Sequence, residues 1–263
     1  MTLNKKNGKL AGLIALAMGL SSAISAQAAP ATGAPATGVP APAAKIIVQD
    51  DFLGTRENWS WYGEIAKGEF VLTSPSPAQY AGAQTLLNPP VQLPPAGGDA
   101  VRIRLKIMGI SDAGASGKIA SEARLFLVPA PLKNPTFADP YSNPSALTVL
   151  LGVNGDQQTM QISLFQKTDQ TTAGYGTPLY SVRLPLNSFP LTLDWWLARN
   201  AYKLDVTPKG QTIDGSRQGV LALGDVWAGD LCYVMRAVNI GAGIRTQLRI
   251  SEFSITTAPL PAE

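Results

Sequence analysis

The chain has 263 residues, 45% apolar and 15% charged: enough apolar mass to fill one large core, with a charge fraction well below the usual quarter. It holds no histidine and a single cysteine, Cys232. Those counts exclude Ser-His-Asp and Cys-His nucleophiles, histidine-ligated zinc, thiolate metal centres and any intramolecular disulfide.

Residues 1–28 read as an export signal. Lys5, Lys6 and Lys9 precede the short apolar run Leu10–Leu20, and Ala26-Gln27-Ala28 supplies a small-x-small cleavage pattern. That run is shorter than the roughly 17–25 residues of a spanning helix. The expectation is a cleaved signal, no membrane span afterwards, and a periplasmic or secreted destination. Loss of the three lysines leaves 18 cations against 18 anions. A nucleic-acid partner needs clustered excess positive charge and is not expected. Residues 29–44, APATGAPATGVPAPAA, carry no charge and read as a disordered, polyproline-like spacer.

The folded domain is expected over 45–257, with 258–263 as a tail. KIIVQDDF opens it, the Trp-rich turn ENWSWYG follows, and GEFVLTS is the next strand. Tyr80–Leu87 precedes NPPVQLPPAGGD, which is too proline-rich for a central strand. In VRIRLKIMGI, Val101, Ile103, Leu105 and Ile107 share one face while Arg102, Arg104 and Lys106 share the other, the mark of a half-buried strand. EARLFLVP is another strand. Residues 129–146 hold five prolines and no periodicity, a long surface loop. LTVLLGV and DQQTMQISLF flank Asn154-Gly155, which suits a type I′ hairpin turn. LYSVRLPL, LTLDWWLA, NAYKLDVTP, GVLALGDVWA, LCYVMRAVNIGAG and TQLRISEFSIT complete the series, the last an expected partner of the first strands. About a dozen short strands without a long 3.6-residue period predict an all-β, two-sheet antiparallel sandwich.

With that order laid out, the chain resembles the concanavalin A-like lectin/glucanase superfamily, in particular its laminin-G-like and glycoside-hydrolase-related modules. The resemblance rests on Asp51 and Phe52 after Asp50, then Trp59, Gly63 and the strand Phe70–Leu72. Later come Tyr202, Leu204 and Val206, and at the close Ile250, Phe253 and Ile255. It implies a curved jelly roll of two antiparallel sheets with adjacent first and last strands, often with a carbohydrate groove on the concave face. It does not bring catalysis: the Glu-x-Asp-x-(x)-Glu strand of the endoglucanase branch is missing, and the Gln-x-His strand of the alginate-lyase branch needs a histidine.

A pair of carboxylates could still hydrolyse a glycoside, and Glu57, Glu64, Glu69, Glu122, Asp156, Asp194 and Glu252 are candidates without a telling spacing. Asp225 and Asp230 around Trp227 read as turn residues rather than Ca²⁺ ligands. The aromatics point to sugar binding, because flat rings cover the apolar face of a pyranose while polar neighbours bond its hydroxyls. Trp59 and Trp61 should point the same way with Tyr62 opposite; of the adjacent Trp195 and Trp196, one should face the core. The expected ligand face comprises Trp59, Trp61, Tyr62, Arg102, Arg104 and Glu122. The functional expectation is an exported, non-catalytic glycan-binding sandwich with no cofactor and no metal. The alternatives are a glycoside hydrolase or lyase working without histidine, and an envelope module that binds another protein.

Overall fold

A computed structural model describes residues 44–54, 57–88, 90–95, 99–112, 120–130, 143, 145–154, 159–168, 174–210 and 217–261. The expected signal at 1–28 and all but the last residue of the expected spacer lie outside these residues. Of Trp61 only the backbone is described.

Strands between Lys45 and Ala258 build two antiparallel sheets. The first runs β14 (Arg217–Val220), β13 (Ala201–Pro208), β12 (Leu191–Leu197), β7 (Ala100–Asp112), β16 (Thr246–Ala258), β4 (Glu69–Thr73) and β3 (Glu64–Ala66). Strand β1 (Lys45–Asp50) also pairs with β16. The second runs β11 (Thr177–Pro185), β10 (Thr159–Lys167), β9 (Ala146–Asn154), β8 (Ala120–Pro129), β15 (Asp230–Asn239), β5 (Gly82–Leu87) and β2 (Trp59–Trp61), with β6 (Val91–Gln92) on β15. No helix among the described residues is long and apolar enough to cross a membrane.

The alternation in the sequence decides which side of each strand is buried. In β7, Val101, Ile103, Leu105 and Ile107 lie in the shared core, while Arg102, Arg104 and Lys106 face outward. The opening and closing runs meet as expected: β16 pairs Phe253 with Asp50 of β1 and Ile250 with Phe70 of β4. Strand β8 is covered on both sides. Ala123, Leu125 and Leu127 join the main core, and Phe126 and Val128 form a second apolar cluster with Ala146 and Val234.

One finding overturns a sequence expectation. Trp59 is 3% exposed and sits inside the sandwich, so its ring cannot lie on a sugar. Its ring centroid is 4.8 Å from that of Phe253 and 5.4 Å from that of Phe70, and its Nε1 donates to Asp50 Oδ2 at 3.0 Å. The Asp50 carboxylate thus lets the indole be buried without stranding its N–H. Gly63 makes room for this cluster: its φ is +114°, and a side chain there would collide with the Phe70 ring.

The Pro-rich crossing forms no central strand, in keeping with its sequence, and contributes only the two-residue β6. Two further local expectations change. GVLALGDVWA is a strand only to Val220, with Asp225–Ala228 forming a 3₁₀ turn. The expected β9–β10 hairpin is present, but its register starts at Asn154 opposite Thr159 rather than at a two-residue turn. That register sets Leu151 against Ile162 and Val153 against Met160 inside the core. The tighter turn would have set Leu151 against Gln158. Burial of apolar side chains selects the pairing.

Tyr233 is fully buried among the aromatics, and its hydroxyl has no hydrogen-bond partner among the described residues. Burial pushes its ionisation well above the ordinary tyrosine value of 10.0. Removing an unpaired buried hydroxyl should be stabilising, so Tyr233→Phe is expected to raise the urea-unfolding free energy by about 1 kcal/mol at pH 7. Above the unfolded-state value near 10, only the unfolded chain ionises at this residue. The wild type should therefore lose about 1.4 kcal/mol per pH unit relative to Tyr233→Phe between about pH 10.5 and 11.5. A variant less stable than wild type at both pH values would contradict this account.

Candidate functional site

The two outward sheet faces differ in chemistry. On the first sheet, cross-strand register brings Arg104 opposite Asp194 and Arg102 opposite Trp196. Asp194 accepts from Arg102 at 2.7 Å and lies 3.6 Å from an Arg104 nitrogen. The Arg102 guanidinium lies 4.8 Å from the Trp196 ring centroid, and the Lys203 ammonium lies 5.7 Å from it. Trp195 points into the core and Trp196 outward, as their adjacency requires, but cation stacking leaves Trp196 only 7% exposed. Lys106 pairs with Glu252 at 2.8 Å and Arg249 with Glu69 at 3.4 Å. This face is a mesh of ion pairs in which most charges already have opposite neighbours.

The outward face of the second sheet holds a groove of about 440 Å³ at one end of β8, β9 and β10. Its lining includes Glu122, Leu150, Gly152, Gln161, Arg183 and Ile240. Four of these fall in one row by register. Glu122 is opposite Gly152, Gly152 opposite Gln161, and Gln161 opposite Arg183. Three strand spacings separate the ends of the row, about 14 Å. Gly152 has no atom within 4 Å of where a Cβ would stand, so it forms an open floor between polar neighbours.

Hydrogen-bonding capacity is left over along this row. Glu122 Oε2 accepts from Arg124 Nε at 3.0 Å and Nη2 at 2.8 Å, and from the Tyr175 hydroxyl at 3.3 Å. Its Oε1 accepts nothing from the described residues. Gln161 donates through Nε2 to Ser163 and Ser181, which leaves its Oε1 without a donor among the described residues. Arg183 is exposed and makes no ion pair with any of them. Tyr175, stacked on Phe165 at 5.5 Å and with the Arg124 guanidinium 5.2 Å from its ring centroid, braces the Glu122 pair.

A second device borders the groove. Buried Asn239 uses its whole amide: Oδ1 accepts from Ser74 Oγ and from the Thr246 backbone, and Nδ2 donates to Ser76 and Ala78 carbonyls. This fixes the segment before β5, where Tyr80 adopts φ +63° and stays 64% exposed. The Tyr80 N–H donates to the Asn239 carbonyl, and Gln79 Nε2 donates to the carbonyl of the groove residue Ile240. A bulky side chain in the left-handed region is strained and needs such a hold.

Of the six residues expected to form one ligand face, the five whose side chains are described are therefore dispersed. Glu122 lines the groove; Arg102 and Arg104 lie on the other sheet; Trp59 is core. Tyr62 is 56% exposed beside a separate 410 Å³ hollow with Glu64, Val71, Thr73 and Arg245. Gly152, Gln161, Arg183 and Tyr80 were not singled out from the sequence. The spaced glycine in LTVLLGVN, where alternation calls for an outward side chain, was the signal available.

No protein-family model matches this sequence, and no curated protein does. Solved structures do match. The potassium-bound carbohydrate recognition domain of Emp46p aligns with TM-score 0.55 at 14% identity, covering 76% of this chain and 88% of that domain. A lectin from Bauhinia forficata in complex with GalNAc aligns at 0.53 and 14% identity, covering 80% and 98%. LamAcat from Zobellia galactanivorans aligns at 0.52 and 12%, covering 80% and 97%. The chain shares with them the two-sheet antiparallel jelly-roll fold. Within that jelly roll, the polar groove at Glu122 and the ion-paired face at Asp194 lie on opposite outer surfaces.

Replacing Asp194 by Ala removes the carboxylate that Arg102 and Arg104 share. With Asp194 largely buried and the arginines part-exposed, the expected loss is about 2 kcal/mol, between the surface and buried limits for ion pairs. Urea unfolding measures it; a loss below about 0.5 kcal/mol would show that the pairing does not hold this face together.

Proposed function

We propose that this protein is an exported, non-catalytic glycan-binding module whose site is the groove crossing β8, β9, β10 and β11. The observation that carries this reading is the row Glu122–Gly152–Gln161–Arg183. It offers acceptors and a cationic donor with capacity to spare, on either side of an open glycine floor. A pyranose needs those features: hydroxyls take the polar groups, and its apolar face lies over Leu150 and Gly152. The exposed Tyr80 ring, held two residues before Gly82 in the row Gly82–Val238–Glu122, supplies a flat aromatic near the same edge. Two of the structures sharing this fold are a carbohydrate recognition domain and a lectin with bound GalNAc, which supports the choice of ligand.

Hydrolysis in this groove would require a second carboxylate roughly 5–9.5 Å from Glu122. Glu122 is the one carboxylate among the described lining residues, and two hydrogen bonds from Arg124 already occupy its Oε2. Binding without bond cleavage is the reading that fits.

The test is a glycan array followed by affinity gels containing the polysaccharides that score. Gly152→Leu fills the floor at a position with free space and ordinary backbone, so the variant should fold and lose retention. Glu122→Gln should weaken retention about tenfold, the worth of one charge-assisted hydrogen bond. Wild-type protein that binds no glycan, or a folded Gly152→Leu variant that binds as well as wild type, would overturn the proposal.

A further inference from the structure

The groove's charge balance points to a narrower ligand class, and this step rests on the glycan reading above. Among the described residues two charged groups line it, Glu122 and Arg183. The negative charge of Glu122 is offset at close range, with Arg124 nitrogens at 2.8 Å and 3.0 Å on one carboxylate oxygen. Arg183 has no such partner among the described residues; its cross-strand neighbour on β10 is the neutral Gln161, and it stands exposed on the edge strand β11. The row is therefore polarised. At the Glu122 end it carries an acceptor inside a compensated pair, which suits a sugar hydroxyl. At the far end, about 14 Å away across three strand spacings, it carries a guanidinium with no ion-pair partner among the described residues.

We infer that Arg183 is a subsite for an anionic substituent, so that the groove selects acidic glycans over neutral ones of the same backbone. Guanidinium presents paired N–H donors in one plane, which match the two oxygens of a carboxylate or sulfate. A neutral hydroxyl at that position would leave the charge unanswered. The span between the two ends sets the rest of the specificity: one ligand must place a hydroxyl at Glu122 and its anionic group beyond Gln161, so an oligosaccharide rather than a single sugar is required.

The experiment compares retention of the full chain on two pairs of polymers that differ only in charge. Polygalacturonate is set against its methyl-esterified form, and dextran sulfate against dextran. The expected result is at least about tenfold stronger retention on the charged member of one pair, the worth of a charged hydrogen bond. The pair that responds identifies the group as carboxylate or sulfate. Arg183→Gln should abolish the preference without moving the unfolding midpoint, since the side chain is exposed. Arg104→Gln removes an equal charge from the opposite surface and should leave the preference intact, which separates site binding from ion exchange. Equal retention of charged and neutral members, a preference that survives Arg183→Gln, or an equal loss in Arg104→Gln would overturn the inference. If neither pair is retained while a neutral glycan from the array still binds, the acidic assignment fails and the glycan reading stands. If nothing on the array binds, both fail.

Discussion

Register between neighbouring strands is the constraint on which the rest of the molecule depends. Side chains alternate at every residue, so the pairing that buries Ala123, Leu151, Ile162 and Val182 inward also fixes Glu122, Gly152, Gln161 and Arg183 outward in one line. A slip of one residue in β9 would turn Leu151 and Val149 to solvent and force Gly152 and Leu150 inward. At about 25 cal/mol per Å² of apolar area, each displaced Leu or Val costs roughly 1.5–3 kcal/mol. The hydrophobic core thus specifies the groove on the outer surface, although no groove residue of the row contributes to it.

The four tryptophans whose side chains are described are taken up by packing. Trp59, Trp195, Trp196 and Trp227 are all buried, each by a different neighbourhood. Trp59 fills the space between β2, β4 and β16, where Phe70 and Phe253 meet it and Asp50 answers its N–H. Trp196 points away from the core, yet Arg102 and Lys203 cover it. The sandwich has no disulfide, and these large rings supply buried area that small side chains could not. The outer face of the second sheet presents hydrogen-bonding groups and charge, with Tyr80 as an exposed ring near its edge.

Much of this architecture is legible in the sequence because alternation and turn chemistry are local. The faces of β7, the pairing of the closing strand with the opening ones, and the opposed directions of Trp195 and Trp196 all follow from residue order. The groove does not, because it arises from pairing between segments. Asn154-Gly155 signals a hairpin, yet the core moves the register to Thr159, and with it the partner of Gly152 becomes Gln161. Arg102 and Arg104 look free in a list of residues; Asp194, some 90 positions later, is shared between them only once β12 lies beside β7. Trp59 looks like a platform until Phe70 and Phe253 are seen around it. Of the candidates read from the sequence, Glu122 lines the groove, and its partner Arg124 is two residues away, within reach of strand periodicity.

The central claim is that the ligand lies across β8 to β11 and leaves the ion-paired face of the first sheet untouched. Amide chemical-shift mapping during titration with a retained glycan tests it most directly. The account predicts shifts concentrated at Glu122, Leu150–Gly152, Gln161 and Arg183, with little change at Arg102, Arg104 and Asp194. Shifts centred on Asp194 and Trp196, with the Gly152 amide unmoved at saturation, would contradict it.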